Sequence, residues 1–371
     1  MTDTTSAPAA ALSFTVIPST SQRADNEREA ILADPGFGRH FTDHMVTIDW
    51  TIEKGWHDAR VTAYGPLQLD PASSVLHYGQ EIFEGLKAYR HADGSIWTFR
   101  PEQNAKRLQR SARRLALPQL PAVDFIESIK QMVAADKAWI PSAPETSLYL
   151  RPFMIANESF LGVRAAHRVG YYVIASPAGA YFANGVAPVK IWLSTEYSRA
   201  GRGGTGAAKC GGNYASSLLP QQEASENGCA QVLFLDGETG TRVDELGGMN
   251  VFFVHGTDTL VTPRLTGSIL EGVTRDSILQ LARDRGMSVE EREVTLEEWR
   301  LGVDSGEITE VFACGTAAVV TPISQLKGHG VSIGDPDAPA GEITMALRQE
   351  LTDIQYGRLP DRHGWLTLLD A

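Results

Sequence analysis

Residues 201–218 read GRGGTGAAKCGGNYASSL. The stretch sets a single lysine, Lys209, among six glycines that fall between Gly201 and Gly212, with Asn213 and Tyr214 four and five residues further on. Almost nothing around that lysine is apolar enough for its stem to cover, so a snorkelling surface role does not account for it. Glycines let a backbone come close to something, and one amine is delivered to that place. Three chemistries use such a segment. A phosphate-binding P-loop requires Gly-Lys-Ser/Thr, but here Ala208 precedes the lysine and Cys210 follows it. A dinucleotide fingerprint is matched formally by Gly201, Gly203 and Gly206, with Asp236 closing the next apolar run. The helix that should open within those glycines is interrupted by Gly211-Gly212 and then by Pro220. The third is a Schiff-base lysine, an amine aimed at a carbonyl and neutral part of the time.

Pyridoxal phosphate supplies such a carbonyl and an electron sink. It also demands a carboxylate at its ring nitrogen, a donor at its ring oxygen and a cradle for its phosphate. Segments that suit each demand lie downstream. Glu245 stands before the Gly247-Gly248 turn and an apolar strand, where a carboxylate can hold a ring nitrogen protonated. Residues 270–275, LEGVTR, open a helix, and the free amides of a helix start bind phosphate. Residues 313–318, ACGTAA, form a small-residue turn after a strand, suited to donating backbone N–H groups to an anion. Alone, Glu245 and Thr274 read as ordinary caps.

The chain as a whole narrows the field. Its 371 residues exceed what one core usually fills, so two domains are expected. A net charge of −12 argues against nucleic acid or an anionic membrane surface as a main partner. No apolar run reaches the length of a membrane span. Cys210, Cys229 and Cys314 lack C-x-x-C spacing, so neither a disulfide scaffold nor a metal site is expected, and a reducing cytoplasm fits. Residues 1–11 carry no basic start and no apolar core, which fits a frayed, disordered tail and not an export signal.

Alternating or apolar runs predict strands at 45–50, 60–64, 95–99, 148–153 and 169–175. Helical periodicity predicts helices at 102–117, with Ala105, Leu108, Ala112 and Leu115 on one face, and at 125–135. The Gly/Pro/Ala-rich stretch from Ser176 to Pro188 reads as a linker. Further strands are expected at 189–194, 230–235, 251–255, 259–261, 288–294 and 310–313, with a helix over 274–285. The resulting division is a smaller N-terminal α/β domain at 1–177, a linker at 178–188 and a larger C-terminal domain at 189–371 carrying Lys209. Meandering strands with interspersed helices point to a mixed α/β (α+β) fold and not to successive parallel βαβ units.

The chain resembles the branched-chain amino acid aminotransferases, class IV aminotransferases within the fold type IV pyridoxal-phosphate enzymes, whose two-domain fold is D-amino acid aminotransferase-like. The resemblance runs from Phe37 to about the last twenty residues. It rests on FGRHFTDHM, LHYGQEIFEGLKAYR, FRPEQNAKRLQRSARRLALP, LYLRPF, GGTGAAKCGGNYASSL, DELGGMNVFFV, EGVTRDSILQLA and GTAAVVTPI, in the family's order. The EIFEGLKAYR and LYLRPF blocks and the long N-terminal extension separate it from D-amino acid aminotransferases and aminodeoxychorismate lyases.

What the resemblance implies is specific. Lys209 is the Schiff-base lysine and moves the proton between substrate and cofactor. Tyr214 binds the ring oxygen and Glu245 the ring nitrogen. Arg107, Gly272, Val273, Thr274 and Thr316 hold the phosphate. Substrate residues are Phe37, Tyr78, Phe83, Tyr149, Arg151, Tyr181, Gly248, Thr316, Ala317 and Ala318. An aromatic wall suits a branched aliphatic side chain, and Arg151 with Tyr149 suits the second carboxylate of glutamate. The implied reaction is reversible transamination of leucine, isoleucine or valine with 2-oxoglutarate, giving branched-chain 2-oxo acids and L-glutamate. A homodimer is implied, with Tyr78 lent across its interface. Two departures from the family pattern are visible. Ala318-Val319-Val320-Thr321 stands where animal members carry a C-x-x-C pair, and Gly248 stands where some relatives have Thr.

Overall fold

The computed structural model describes residues 11–180 and 185–371. All of the expected tail at 1–11 except its last residue, and the candidate Tyr181, lie outside the described residues. Two curled sheets organise the rest, each of nine strands among the described residues. The first takes β1 (Thr15–Val16), β2 (His44–Thr51), β3 (Gly55–Ala63), β4 (Glu81–Phe83), β5 (Leu86–Arg90), β6 (Ile96–Phe99), β7 (Ser147–Ala156) and β8 (Arg168–Ala178). The second takes β9 (Val189–Ser194), β10 (Gln231–Leu235), β11 (Val243–Leu246), β12 (Asn250–His255), β13 (Thr259–Pro263), β14 (Ser288–Arg292), β15 (Ile308–Gly315), β16 (Val319–Gly328) and β17 (Val331–Gly334). The last strand, β18 (Leu366–Asp370), returns to the first sheet.

The strand order is β1-β3-β2-β8-β7-β5-β6-β18 in the first sheet, with β4 paired to β7. In the second it is β11-β10-β9-β16-β15-β12-β13-β14, with β17 paired to β16. Most neighbours are antiparallel; β1 with β3, β9 with β10 and β16, and β13 with β14 are parallel. This is the mixed α/β arrangement the strand pattern predicts.

Period-two patterning explains which faces are covered. On β2, His44, Val46 and Ile48 are buried and alternate with less buried neighbours. Val46 and Ile48 join a core with Leu148, Leu150 and Met154 of β7 and with Phe125, Ile129 and Met132 of α4 (Ala122–Ala135), the fourth helix after α1 (Asp25–Ala33), α2 (Ser74–Tyr78) and α3 (Pro101–Arg114). On β12 both sides are buried. Val251 and Phe253 face one core with Trp299 of α8 (Leu296–Ser305), whereas Phe252 and Val254 face another. The latter core includes Ile278 of α7 (Val273–Asp284) and Leu347 of α9 (Glu342–Gln355). Between β9 and β10 lie the short α5 (Gly211–Ala215) and α6 (Leu218–Glu226).

Helix α3 begins with Pro101 at its first turn and ends with Arg113 and Arg114, placements that suit the free amides and the dipole of a helix. It stops three residues before the expected 117, because Ala116 takes a positive φ of 53°. Two expectations about organisation need correction. Ser176 to Ala178 continue β8 and are not linker. Residues 366–370 do not stay with the second sheet; β18 pairs antiparallel with β6, Leu366 opposite Phe99. The Arg100 N–H donates to the Trp365 carbonyl at 2.7 Å, and its guanidinium lies 5.0 Å from the Trp365 ring centroid, which brings the chain end back.

Candidate active site

Lys209 is held where the second half of the chain inserts into the first sheet's core. Its neighbours Ala208 and Cys210 are buried in that core. Its own N–H donates to Ser111 Oγ of α3 at 2.9 Å, and its carbonyl accepts from the Phe83 N–H of β4 at 2.9 Å. The main chain is therefore fixed on both sides, and the amine extends from it. Lys209 Nζ lies 2.7 Å from Tyr214 Oη, and 4.8 Å from the centroid of the Phe83 ring. One helical turn separates Gly211 from Tyr214, which is what turns the tyrosine back toward the lysine.

A cavity of about 190 Å³ opens in front of this pair. Phe37, Phe83, Tyr149, Arg151, Gly248, Thr316 and Ala317 line it, together with Arg107, Lys209, Tyr214, Glu245, Gly272, Val273 and Thr274. The structure thus brings fourteen of the seventeen candidates to one place. Tyr78 and Ala318 do not line it, and Tyr181 lies outside the described residues. Tyr78 projects from α2 with 40 % of its surface exposed, donating its hydroxyl to the Leu161 carbonyl. Ala318 is buried behind the turn, its carbonyl accepting from Arg348 at 3.3 Å. A larger cavity, about 360 Å³, lies behind Asp244 between Arg202, Arg242 and Arg264, and Lys209 does not line it.

Glu245 is buried beside Arg199, whose guanidinium forms an ion pair with Oε1, and the Leu270 N–H donates to the same oxygen at 2.8 Å. Burial pushes its carboxyl up to about 7 against the pull of Arg199 and that N–H. Asn250 Nδ2 approaches the other oxygen at 3.4 Å. Gly272 caps α7 because a Cβ there would meet Asn250 Oδ1 at 2.1 Å. The first amides of α7 have no intrahelical acceptor, and Gly272, Val273 and Thr274 line the cavity.

Arg107 is buried on α3, and its fork is already engaged. Nε and Nη2 each donate to Glu84 at 2.8 Å, and Nη1 donates to the Glu271 carbonyl at 3.1 Å. Burial alone would raise the Glu84 carboxyl, but the charge and hydrogen bonds of Arg107 outweigh it and hold it below the ordinary value. Glu84 is thus a site-building residue missing from the sequence-based set. Its signal was a charged residue inside the apolar run Ile82-Phe83-Glu84-Gly85-Leu86. Arg199, Ser111 and Asn250 were missed too, and only Asn250, opening an apolar strand, had a local signal.

The turn between β15 and β16 forms another wall. Val319 sits at φ 62°, a conformation costly for a β-branched residue. Lys87 Nζ donates to the Ala317 carbonyl at 2.9 Å from behind. Burial, then the neighbouring charge of Arg348, bring the Lys87 ammonium down to about 8.

Residues 81–326 match the family model described as amino-transferase class IV. A branched-chain-amino-acid aminotransferase of Mycolicibacterium smegmatis is 60 % identical over 363 residues, covering 97 % of this chain and 99 % of the relative. Among solved structures, the branched-chain amino acid aminotransferase of Thermobaculum terrenum in its PLP form superposes with a TM-score of 0.71 at 26 % identity, covering 87 % of this chain and 98 % of that one. The Escherichia coli branched-chain amino acid aminotransferase gives 0.71 at 27 %, covering 87 % and 99 %.

Proposed function

The chain belongs to the amino-transferase class IV family, and from that premise we infer that it is a pyridoxal-phosphate-dependent branched-chain aminotransferase. It moves the amino group reversibly between leucine, isoleucine or valine and 2-oxoglutarate. One observation carries the reading: an amine and a phenol 2.7 Å apart face a buried carboxylate and a helix start around one cavity.

That donor set fits the cofactor. Lys209 would take its carbonyl, Tyr214 its ring oxygen and Glu245 its ring nitrogen, while Arg107, Gly272, Val273, Thr274 and Thr316 would hold its phosphate. The carboxyl of Glu245, raised by burial, gains from a cationic N–H beside it. When bound, pyridoxal phosphate condenses with an amine and draws electrons from the adjoining carbon. Lys209 Nζ would also serve as the acid/base that takes up and returns the substrate's Cα proton. Tyr214 orients that amine through its hydroxyl.

Phe37 and Phe83 give a branched side chain an apolar wall, and the Thr316–Ala317 turn presents amides to the α-carboxylate. Arg151 donates to Tyr149 Oη at 3.0 Å, yet its buried Nε has no partner among the described residues. That pair receives the second carboxylate of glutamate. The remaining readings are a homodimer in which Tyr78 completes the partner's site, residence in the cytoplasm, and a domain division near 178–188 with the cavity between the two parts.

The protein loaded with pyridoxal phosphate is expected to be yellow and to bleach with L-leucine. Borohydride reduction of the loaded protein should fix the cofactor's mass on the peptide containing Lys209. A colourless protein that pyridoxal phosphate cannot reconstitute, or label elsewhere, overturns the reading. Lys209→Ala should bind the cofactor without a covalent bond and lose turnover.

A further inference from the structure

We propose that Glu81, which does not line the cavity, is a positioning residue that aims Lys209 and Tyr214 by holding the backbone at Gly211. The proposal rests on the reading of Lys209 as the amine that takes the cofactor's carbonyl.

The three-residue strand β4 is paired to β7 along one edge, Glu81 opposite Ile155 and Phe83 opposite Phe153. Beyond this pairing it is joined to the lysine segment. The Phe83 N–H donates to the Lys209 carbonyl. Two residues along, the Gly211 N–H donates to Glu81 Oε1. Gly211 opens α5, and its amide is one of those a helix start leaves without an internal acceptor. Cys210, at the cap position, makes no side-chain cap bond. The Glu81 carboxylate therefore does from another element what a capping Ser or Asp does locally.

Close packing makes the contact directional. A Cβ on Gly211 would lie 2.5 Å from Glu81 Oε1 and 3.2 Å from its Cδ, so the carboxylate stands where a side chain would. This explains the glycine at 211 without any appeal to a positive φ. Gly211 is two residues beyond Lys209 and three before Tyr214, so a shift at its amide is passed to both ends of the 2.7 Å amine–phenol pair. The other two anchors, Ser111 Oγ and the Phe83 N–H, grip Lys209 alone. Burial raises the Glu81 carboxyl, and the Gly211 N–H, then the nearby charge of Arg151, act against that.

The test compares Glu81→Ala with Glu81→Gln, which keeps a carbonyl acceptor, in the cofactor-loaded protein. Glu81→Ala should lower kcat for L-leucine on the order of 100-fold, the effect of displacing a catalytic group by about 1 Å, with KM little changed. It should also shift the pH midpoint of the yellow absorbance, while Glu81→Gln restores both. Gly211→Ala should reproduce the loss, and combining it with Glu81→Ala should add little further. Wild-type kcat and absorbance in Glu81→Ala overturn the proposal, as do equal losses in Glu81→Gln and Glu81→Ala. If the Ala variant does not fold, wild-type kcat and absorbance in Gly211→Ala overturn it instead. Borohydride labelling of wild-type Lys209 is read alongside: its failure removes the functional reading, whereas success with unchanged Glu81 variants removes only this inference.

Discussion

Glu245 is 3 % exposed, and its carboxyl is pushed up to about 7, first by burial, with Arg199 and the Leu270 N–H pulling it down and Asp244 adding to the rise. Its value in the folded protein thus stands above the 4.5 of a free glutamate. Between those values the folded chain holds a proton that the unfolded chain has released. Stability from this group is therefore full below pH 4.5 and is lost as pH rises toward 7, by at most about 3 kcal/mol. In the cofactor-free protein, urea unfolding should show wild type losing stability relative to Glu245→Gln over that window; parallel profiles would mean that the carboxyl is not raised. Glu84 behaves oppositely, since Arg107 holds it ionised in a site with no exposure. Glu84→Ala leaves a buried guanidinium uncompensated and should cost about 3–5 kcal/mol in the same measurement. Glu245 could be singled out because it stands in the DELGGMN motif of the family resemblance, since alone it reads as an ordinary cap. The ion pair of Glu84 with Arg107 could not, because the two residues meet only after α3 packs on β4 and β5.

The glycines of the lysine segment divide into kinds that sequence does not distinguish. A Cβ on Gly206 would lie 2.2 Å from the Ser268 carbonyl oxygen and 2.5 Å from its Cα, all backbone. Gly212, in α5, has nothing within 4 Å. Gly206→Ala must part the lysine segment from residues 266–270, which Arg199 ties together through the Gly206 and Ser268 carbonyls at 2.8 Å each. It should cost about 1–3 kcal/mol and weaken cofactor binding, because the Leu270 N–H on Glu245 moves with the loop. Gly212→Ala should be neutral or stabilise by about 0.5–1 kcal/mol. Urea midpoints and a cofactor titration check both; equal effects would mean that close approach is not the reason for Gly206. Elements with clean periodicity, such as β2, α4 and β12, were legible in the sequence. β16 was not, because Pro322 within its run argues against a strand, although the structure pairs that residue with Phe312. β18 had no local signal either, since it is defined by a partner more than 260 residues earlier in the chain.

At the scale of the whole molecule the candidate that stands apart from the cavity is informative. Tyr78 stands outside the cavity in its own chain, on a surface that also exposes Leu76, Leu161 and Val163. α2 and that loop are joined through the Phe160 N–H to the Ala72 carbonyl at 3.0 Å and through Ser74 Oγ to the Phe160 carbonyl. They form one apolar face, and such a face on a soluble protein marks an association surface. The proposed homodimer gives it an occupant, and a two-fold arrangement makes the exchange of Tyr78 reciprocal. Tyr78→Ala and Lys209→Ala should each be inactive as pure proteins. Co-folded together, they form mixed dimers in which one site combines an intact Lys209 with an intact Tyr78 from the other subunit. Activity should then return to about a quarter of wild type for statistical exchange between two-fold subunits. If Tyr78 served its own chain, no mixed dimer would hold a complete site, and mixing would restore nothing. Leu161→Asp with Val163→Asp supplies the complementary arm: sedimentation should show a monomer near 40.3 kDa that borohydride still labels at Lys209 but that turns leucine over poorly. A fully active monomer would remove both the dimer and the role of Tyr78 from the functional reading.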